Sequence, residues 1–263
     1  MGGCQGCRNG AGLGFDFTMA FQPIVDLPRG TVWGYEALVR GVDGEGAGHF
    51  LSRVNEDNRY VFDQACRVKA IEMAGRLLPE DDSRLSINFM PGAVYEPKAC
   101  IRASLTAAER VGLDRKRLMF EFTENERISD VGHIQNILHE YRKIGFTTAL
   151  DDFGAGYAGL NLLAKFQPDL IKVDMELVRD IATEPAKQII VAGIVAVARA
   201  LSITVLAEGI ETESEARVLL AAGIRLQQGY YFAKPAVGAL PVPNNIDNNR
   251  SAVLEPLPAS NAA

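Results

Sequence analysis

Short runs of β-branched and aromatic residues, each preceded by a stretch of helical periodicity, recur along most of this chain. The opening differs. Met19 to Leu27 (MAFQPIVDL) predicts a strand, and Pro23 demotes it from an ordinary ladder position to a seam or edge. Pro28, Arg29 and Gly30 turn the chain directly into Thr31 to Arg40 (TVWGYEALVR), so the first two strands form an antiparallel hairpin. Phe50 to Leu78 then reads as one long helical region, leading to a strand over Arg84 to Met90 closed by Pro91 and Gly92. The same unit follows with helix Ile101–Val111 before strand Arg117–Thr123, and helix Val131–Ile144 before strand Thr147–Asp152. It continues with Gly159–Ala164 before Leu170–Asp174, Ala186–Leu201 before Ile203–Ala207, and Glu213–Ala222 before Leu226–Tyr231. Gly112, Gly145 and Gly223 fall where helix C-caps belong. Eight strands, the later ones alternating with helices, predict an α/β barrel closed by parallel crossovers, with an unusual first strand.

A length of 263 residues suits one large barrel or two small domains, and the recurring unit selects the barrel. The expected division is a flexible segment over residues 1–16, a folded domain over 17–240, and a loose tail over 241–263, where Pro, Asn, Ala and Ser dominate. No apolar run approaches the ~20 residues of a membrane span. A net charge of −6 argues against a nonspecific binder of phosphate backbones and suits a site for divalent cations. Cys4, Cys7, Cys66 and Cys100 are few and irregularly spaced, and with no export signal at the start the expected compartment is a reducing cytoplasm. Cys4 and Cys7 form a CxxC that reads as half a zinc site, a redox pair or two ordinary thiols; no partner pair follows at finger-like spacing.

Polar residues at the strand ends change the picture from fold to chemistry. Glu36, Asn88, Glu121, Asp151 with Asp152, Lys172 with Asp174, Glu208 and Gln228 close successive strands. In a barrel of this class those ends converge on one face. Each residue alone could cap a helix or bridge to a cation, but so many carboxylates over one rim repel each other unless divalent ions neutralise them. Asp151 and Asp152 end a buried run and precede the flexible GAGYAG turn; strand alternation would point them to opposite faces, each needing its own partner. Oxygen ligands and an amide, with His49, His133 and His139 in loops or helices, point to Mg2+ or Mn2+ rather than zinc. Two adjacent aspartates suggest a metal pair of the kind that clamps a phosphodiester. Lys172 reads either as a group that orients the water or takes its proton, or as a Schiff-base lysine of a barrel aldolase.

These blocks in order resemble the EAL-domain family of cyclic di-GMP phosphodiesterases. The resemblance rests on Gln22-Pro23-Ile24, Glu36-Ala37-Leu38-Val39-Arg40, Asn88 in SINFMP, Glu121-Phe122-Thr123-Glu124, Asp151 to Tyr157 (DDFGAGY), Lys172-Val173-Asp174, Ala207 to Glu211 (AEGIE) and Gln228-Gly229-Tyr230, from about Phe17 to Pro235. It implies a modified TIM barrel whose first strand is antiparallel, two Mg2+ or Mn2+ ions, and hydrolysis of cyclic di-GMP to linear pGpG. By the same resemblance Glu36, Asn88, Glu121 and Asp151 would ligate one metal, with Asp151 shared and Asp152 holding the second. Lys172, Glu208 and Gln228 would position or deprotonate the attacking water. Gln22, Leu38, Arg40, Asp174 and Glu211 would contact substrate, Arg40 gripping its phosphate, and Glu124 would anchor the glycine-rich loop. The family commonly carries two serines where this chain has Ala158-Gly159, which implies a looser loop and weaker second-metal occupancy. A homodimer is also implied. The competing readings are a cyclic di-GMP receptor that does not cut, and an unrelated barrel enzyme using Lys172 covalently.

Overall fold

A computed structural model describes residues 13–94, 96–123, 131–156 and 159–246. The CxxC cysteines, Glu124, Tyr157, Ala158 and the tail beyond residue 246 lie outside the described residues.

Strand β1 (Thr18–Asp26) pairs antiparallel with β2 (Thr31–Arg40), as the turn over Pro28 to Gly30 requires. From β2 the sheet runs through β3 (Arg84–Asn88), β4 (Leu118–Thr123), β5 (Thr147–Phe153), β6 (Leu170–Val173), β7 (Thr204–Ala207) and β8 (Leu226–Gln227), each parallel to its neighbour. β8 returns to β1 in antiparallel register and closes the barrel. A short β9 (Ala236–Val237) adds to β1 beyond β8. Pro23 sits at this seam, between the β1 residues that pair with β9 and those that pair with β8, so its missing N–H leaves no ladder bond unmade there.

The long helical region predicted over residues 50–78 is two helices, Ala47–Leu51 and Arg59–Leu77. The break lies at Asn55 to Asn58, where Asn55 and Asn58 side-chain oxygens accept from the backbone of Asp57 and Asn55. Such side chains compete with helical bonding. Helix Val131–Ile144 has the predicted bounds. The predicted strand over Leu226 to Tyr231 stops at Gln227. Gly229 turns there against the Ile210 backbone, whose oxygen would lie 2.1 Å from an added Cβ, so only glycine permits this approach.

The core divides into two parts. A large apolar layer fills the space between sheet and helices, in which the rings of Phe89, Phe120, Tyr141 and Phe146 form a chain of edge and tilted contacts. A small plug of Ile24, Met119, Ala149, Leu170, Leu206 and Leu226, with Trp33 packed against it, fills the barrel. At the tail, Asn244 N–H donates to the Phe232 carbonyl and Asn245 Nδ2 to that of Tyr231. No described helix is long and apolar enough to cross a membrane.

Candidate active site

The plug residues set the site two residues at a time. Side chains two apart share a strand face, so Met119, Ala149, Leu170, Leu206 and Leu226 are followed on the inner face by Glu121, Asp151, Lys172, Glu208 and Gln228. β1 runs the other way, and Ile24 is accordingly matched by Gln22 two residues earlier. The apolar layer therefore forms a dry floor, and the polar layer stands on it at the carboxyl ends of the parallel strands.

Lys172 lies at the centre of this layer. Its Nζ is 2.6 Å from Glu208 Oε1, 3.1 Å from Asp151 Oδ1, 3.2 Å from Glu121 Oε2 and 3.5 Å from Glu36 Oε2. Burial alone would lower the Lys172 ammonium, but Asp151, Glu121, Glu208 and Glu36 together hold it well above the ordinary lysine range. A lysine so held stays charged, which disfavours the covalent amine of the aldolase reading. The same carboxylates strain one another. Burial pushes Glu121 well above the ordinary carboxyl range against the pull of Lys172, with Glu36 and Asp151 adding to the rise. Burial and Asp151 likewise raise Glu208 well above that range. Burial opposes ionisation of Glu36 too, but Lys172 and the amides of Gln228 and Asn88 bring it below its usual value.

Polar neighbours fix these groups. Asn88 Nδ2 donates to Glu121 Oε1 at 2.9 Å and Glu36 Oε1 at 3.1 Å. A half-turn of that amide would present its oxygen to a cation instead. Ser86 Oγ donates to Glu121 Oε2 at 2.5 Å. Gln228 Nε2 donates to Glu36 Oε2 at 2.6 Å and Gln22 Oε1 at 3.2 Å, and Gln22 Nε2 to the Ala233 carbonyl. Ser86 had no place among the sequence candidates, although it precedes Asn88 by one strand period.

The alternation expected of Asp151 and Asp152 does not hold. β5 takes one extra residue against β6 between Leu150 and Phe153, and Asp152 adopts a left-handed φ of 54°. Such a bulge re-aims side chains, and both aspartates reach the same rim. Carboxylate oxygens of Glu36, Glu121 and Asp151 lie within 4.8 Å of one another, as do those of Asp151, Asp152 and Glu208. Asp151 is common to both groups. Burial, Asp151 and Asp174 push Asp152 up to about 6. Two all-oxygen groups, an amide oxygen within a half-turn, and the buried Gln228 Oε1 without a hydrogen-bond partner fit hard divalent cations.

Above this floor is an open cleft of about 440 Å³, lined in part by Gln22, Leu38, Asp174, Arg179, Glu211 and Tyr230. Asp174 caps the short helix Met175–Val178 by accepting from Glu176 N–H. Arg40 shares the β2 face of Glu36 and Leu38 but donates to the neighbouring Val39 carbonyl at 2.7 Å and does not line the cleft. Arg179, Met175 and Tyr230 line it without having been sequence candidates for substrate contact. Met175 opens the short helix after β6, Arg179 follows its end and Tyr230 lies on the turn after β8, so strand alternation gives no signal for any of them.

A family model for the EAL domain matches residues 12–235. The chain belongs to the EAL-domain family. The structure of a standalone versatile EAL protein from Vibrio cholerae O395, in a c-di-GMP-bound form, is similar to it at 53% identity and a TM-score of 0.85, over 89% of this chain and 98% of that one. Klebsiella pneumoniae BlrP1, in a manganese/cy-diGMP complex, shares 39% identity at a TM-score of 0.80, over 86% of this chain and 57% of its own. Among curated relatives, cyclic di-GMP phosphodiesterase PA2567 of Pseudomonas aeruginosa is 30% identical over 225 residues, 83% of this chain and 38% of that protein. The EAL domain described here spans about half the length, or less, of the curated relatives it matches.

Proposed function

We propose that this EAL domain is a metal-dependent phosphodiesterase that opens cyclic di-GMP to linear pGpG, lowering a second-messenger level in the bacterial cytoplasm as a homodimer. The observation that carries the reading is the pair of carboxylate groups sharing Asp151. With Glu36, Glu121, Asp151 and Glu208 ionised, the single charge of Lys172 offsets one of the four carboxylates in its reach. The remainder calls for divalent ions or for protons.

Glu36, Asn88, Glu121 and Asp151 would hold one Mg2+ or Mn2+, and Asp151 and Asp152, with Glu208 beside them, the other. When bound, such a pair lowers the pKa of water and neutralises phosphoryl oxygens. The chain supplies the rest. Lys172, as an ammonium, orients the attacking oxygen by donating to it, and the Glu208 carboxylate beside it can take the proton. Gln228 Oε1, buried and without a partner, can accept from the same water. The apolar plug beneath excludes bulk solvent from this layer. Gln22, Leu38, Asp174 and Glu211 line the cleft where the dinucleotide would lie. Arg40 would reach it by leaving the Val39 carbonyl.

Incubation with cyclic di-GMP and Mg2+ or Mn2+, with and without chelator, tests the proposal by separation of products. Metal-dependent appearance of pGpG is expected. Tight binding without any product would instead make the domain a receptor.

A further inference from the structure

The described lining of the cleft carries six carboxylates, those of Glu36, Asp151, Asp152, Asp174, Glu208 and Glu211, and a single cation, Arg179. Lys172 lies beneath and is engaged by four carboxylates at 2.6 to 3.5 Å. A cyclic dinucleotide brings two phosphodiesters, and only the one being cut can occupy the floor. The other carries its full negative charge into the upper cleft, where uncompensated carboxylates would repel it.

We propose that Arg179 binds the phosphodiester that is not cut, and that its ion pair with Glu211 is the resting contact that substrate displaces. The inference rests on the cyclic dinucleotide reading of the same cleft. Arg179 Nη2 lies 3.1 Å from Glu211 Oε1, and both side chains are about half exposed, at 51% and 52%. An exposed pair of this kind is worth only about 0–1 kcal/mol, so exchange of the carboxylate for a phosphate costs little. The guanidinium fork matches two phosphate oxygens as an ammonium cannot.

The backbone that presents this pair is fixed by a buried group that the catalytic layer does not use. Glu215 Oε1 accepts from Asp180 N–H at 3.0 Å, while its Oε2 accepts from Glu211 N–H at 3.0 Å and Thr212 N–H at 2.9 Å. One carboxylate thus joins the turn bearing Arg179 to the loop bearing Glu211. Lys187 Nζ adds bonds of 2.7 Å to the Glu176 and Arg179 carbonyls. Asp180, next to Arg179, takes a left-handed φ of 59°, which that clamp sustains. Exposed side chains on a fixed backbone can change partner without moving the cleft wall.

The test is calorimetric titration of cyclic di-GMP into wild type, Arg179→Ala and Arg179→Lys in calcium, with products checked after each run. Arg179→Ala is expected to weaken binding about 10- to 100-fold, the worth of one or two charged hydrogen bonds. Arg179→Lys should recover part of that loss, with an unfolding midpoint matching wild type in both variants. Equal affinity of Arg179→Ala and wild type would overturn the inference. A wild type that binds but yields no pGpG with Mg2+ or Mn2+ refutes the hydrolase reading alone, and the Arg179 comparison still decides this one. A wild type that does not bind overturns both.

Discussion

Asp151 is the one side chain common to both carboxylate groups, so no neighbour can take its place when it is removed. Glu36 differs, because it belongs to one group and also accepts from the amides of Asn88 and Gln228. Neither contributes apolar packing. Glu36→Ala and Asp151→Ala should therefore each lower turnover of cyclic di-GMP by at least about 10³-fold, the scale of losing a cation that stabilises the transition state. The melting temperature of Asp151→Ala in chelator should equal or exceed wild type, since the other carboxylates of both groups lose a like-charged neighbour. Glu36→Ala should melt somewhat below wild type but stay folded, since Lys172 and the amides of Asn88 and Gln228 stabilise the Glu36 charge. Product assays and thermal melts check this, and loss of fold in both variants would contradict it. At this scale the sequence was informative where a polar residue follows an apolar one by two positions, as Glu121 follows Met119. It was misleading at Asp152, because a bulge with a left-handed residue breaks the alternation on which the reading depended. Arg179 gave no sequence signal because its meaning comes from Glu211, which lies far along the chain and meets it only in space.

Elements position these residues through a few side-chain-to-backbone contacts. The helix Glu213–Ala221 begins with a capping box, Thr212 accepting from Glu215 N–H while Glu215 accepts from Thr212 N–H. That much is visible as T-x-x-E in the sequence. The reach of the same carboxylate to Asp180 is long-range and is not. Burial works against ionisation of Glu215, but the N–H groups of Glu211, Asp180 and Thr212 bring it below its usual value. Glu215→Ala should cost about 1–2 kcal/mol in denaturant unfolding, through the lost cap and the unpaired donors. It should also weaken cyclic di-GMP binding in the sense of Arg179→Ala, as both loops lose their common anchor. A variant with wild-type stability and affinity would remove Glu215 from this role. The break between helices Ala47–Leu51 and Arg59–Leu77 escaped the sequence pattern for a related reason: Asn55 to Asn58 hold no Gly or Pro to mark a stop, and the local side-chain bonds that stop the helix do not register in apolar spacing.

For the whole molecule, a closed sheet gathers mutually repelling carboxylates, and protons and divalent cations compete to relieve them. Asp152 is pushed up to about 6, and Glu121 and Glu208 lie well above the ordinary carboxyl range. Groups whose folded pKa is raised contribute stability that is complete below their unfolded values and lost as pH rises through the folded ones. The metal-free protein should therefore lose stability from about pH 4 towards pH 7 on account of this cluster. The gain in melting temperature from Mn2+ over chelator should grow between about pH 5 and about pH 8. Thermal melts across that range check it, and an equal gain at both ends would contradict it. The barrel itself was legible, because helix-then-strand units recur and the Pro28 to Gly30 turn forces the antiparallel start. The short β9 was not, since two residues carry no periodicity.

The most direct test of the central claim is a crystal of the protein grown with Mn2+, measured at the manganese absorption edge. Two anomalous peaks are expected, one against Glu36, Glu121 and Asp151 and one against Asp151, Asp152 and Glu208, with Asp151 touching both. No peak among these carboxylates, at a manganese concentration that supports turnover, would contradict the account.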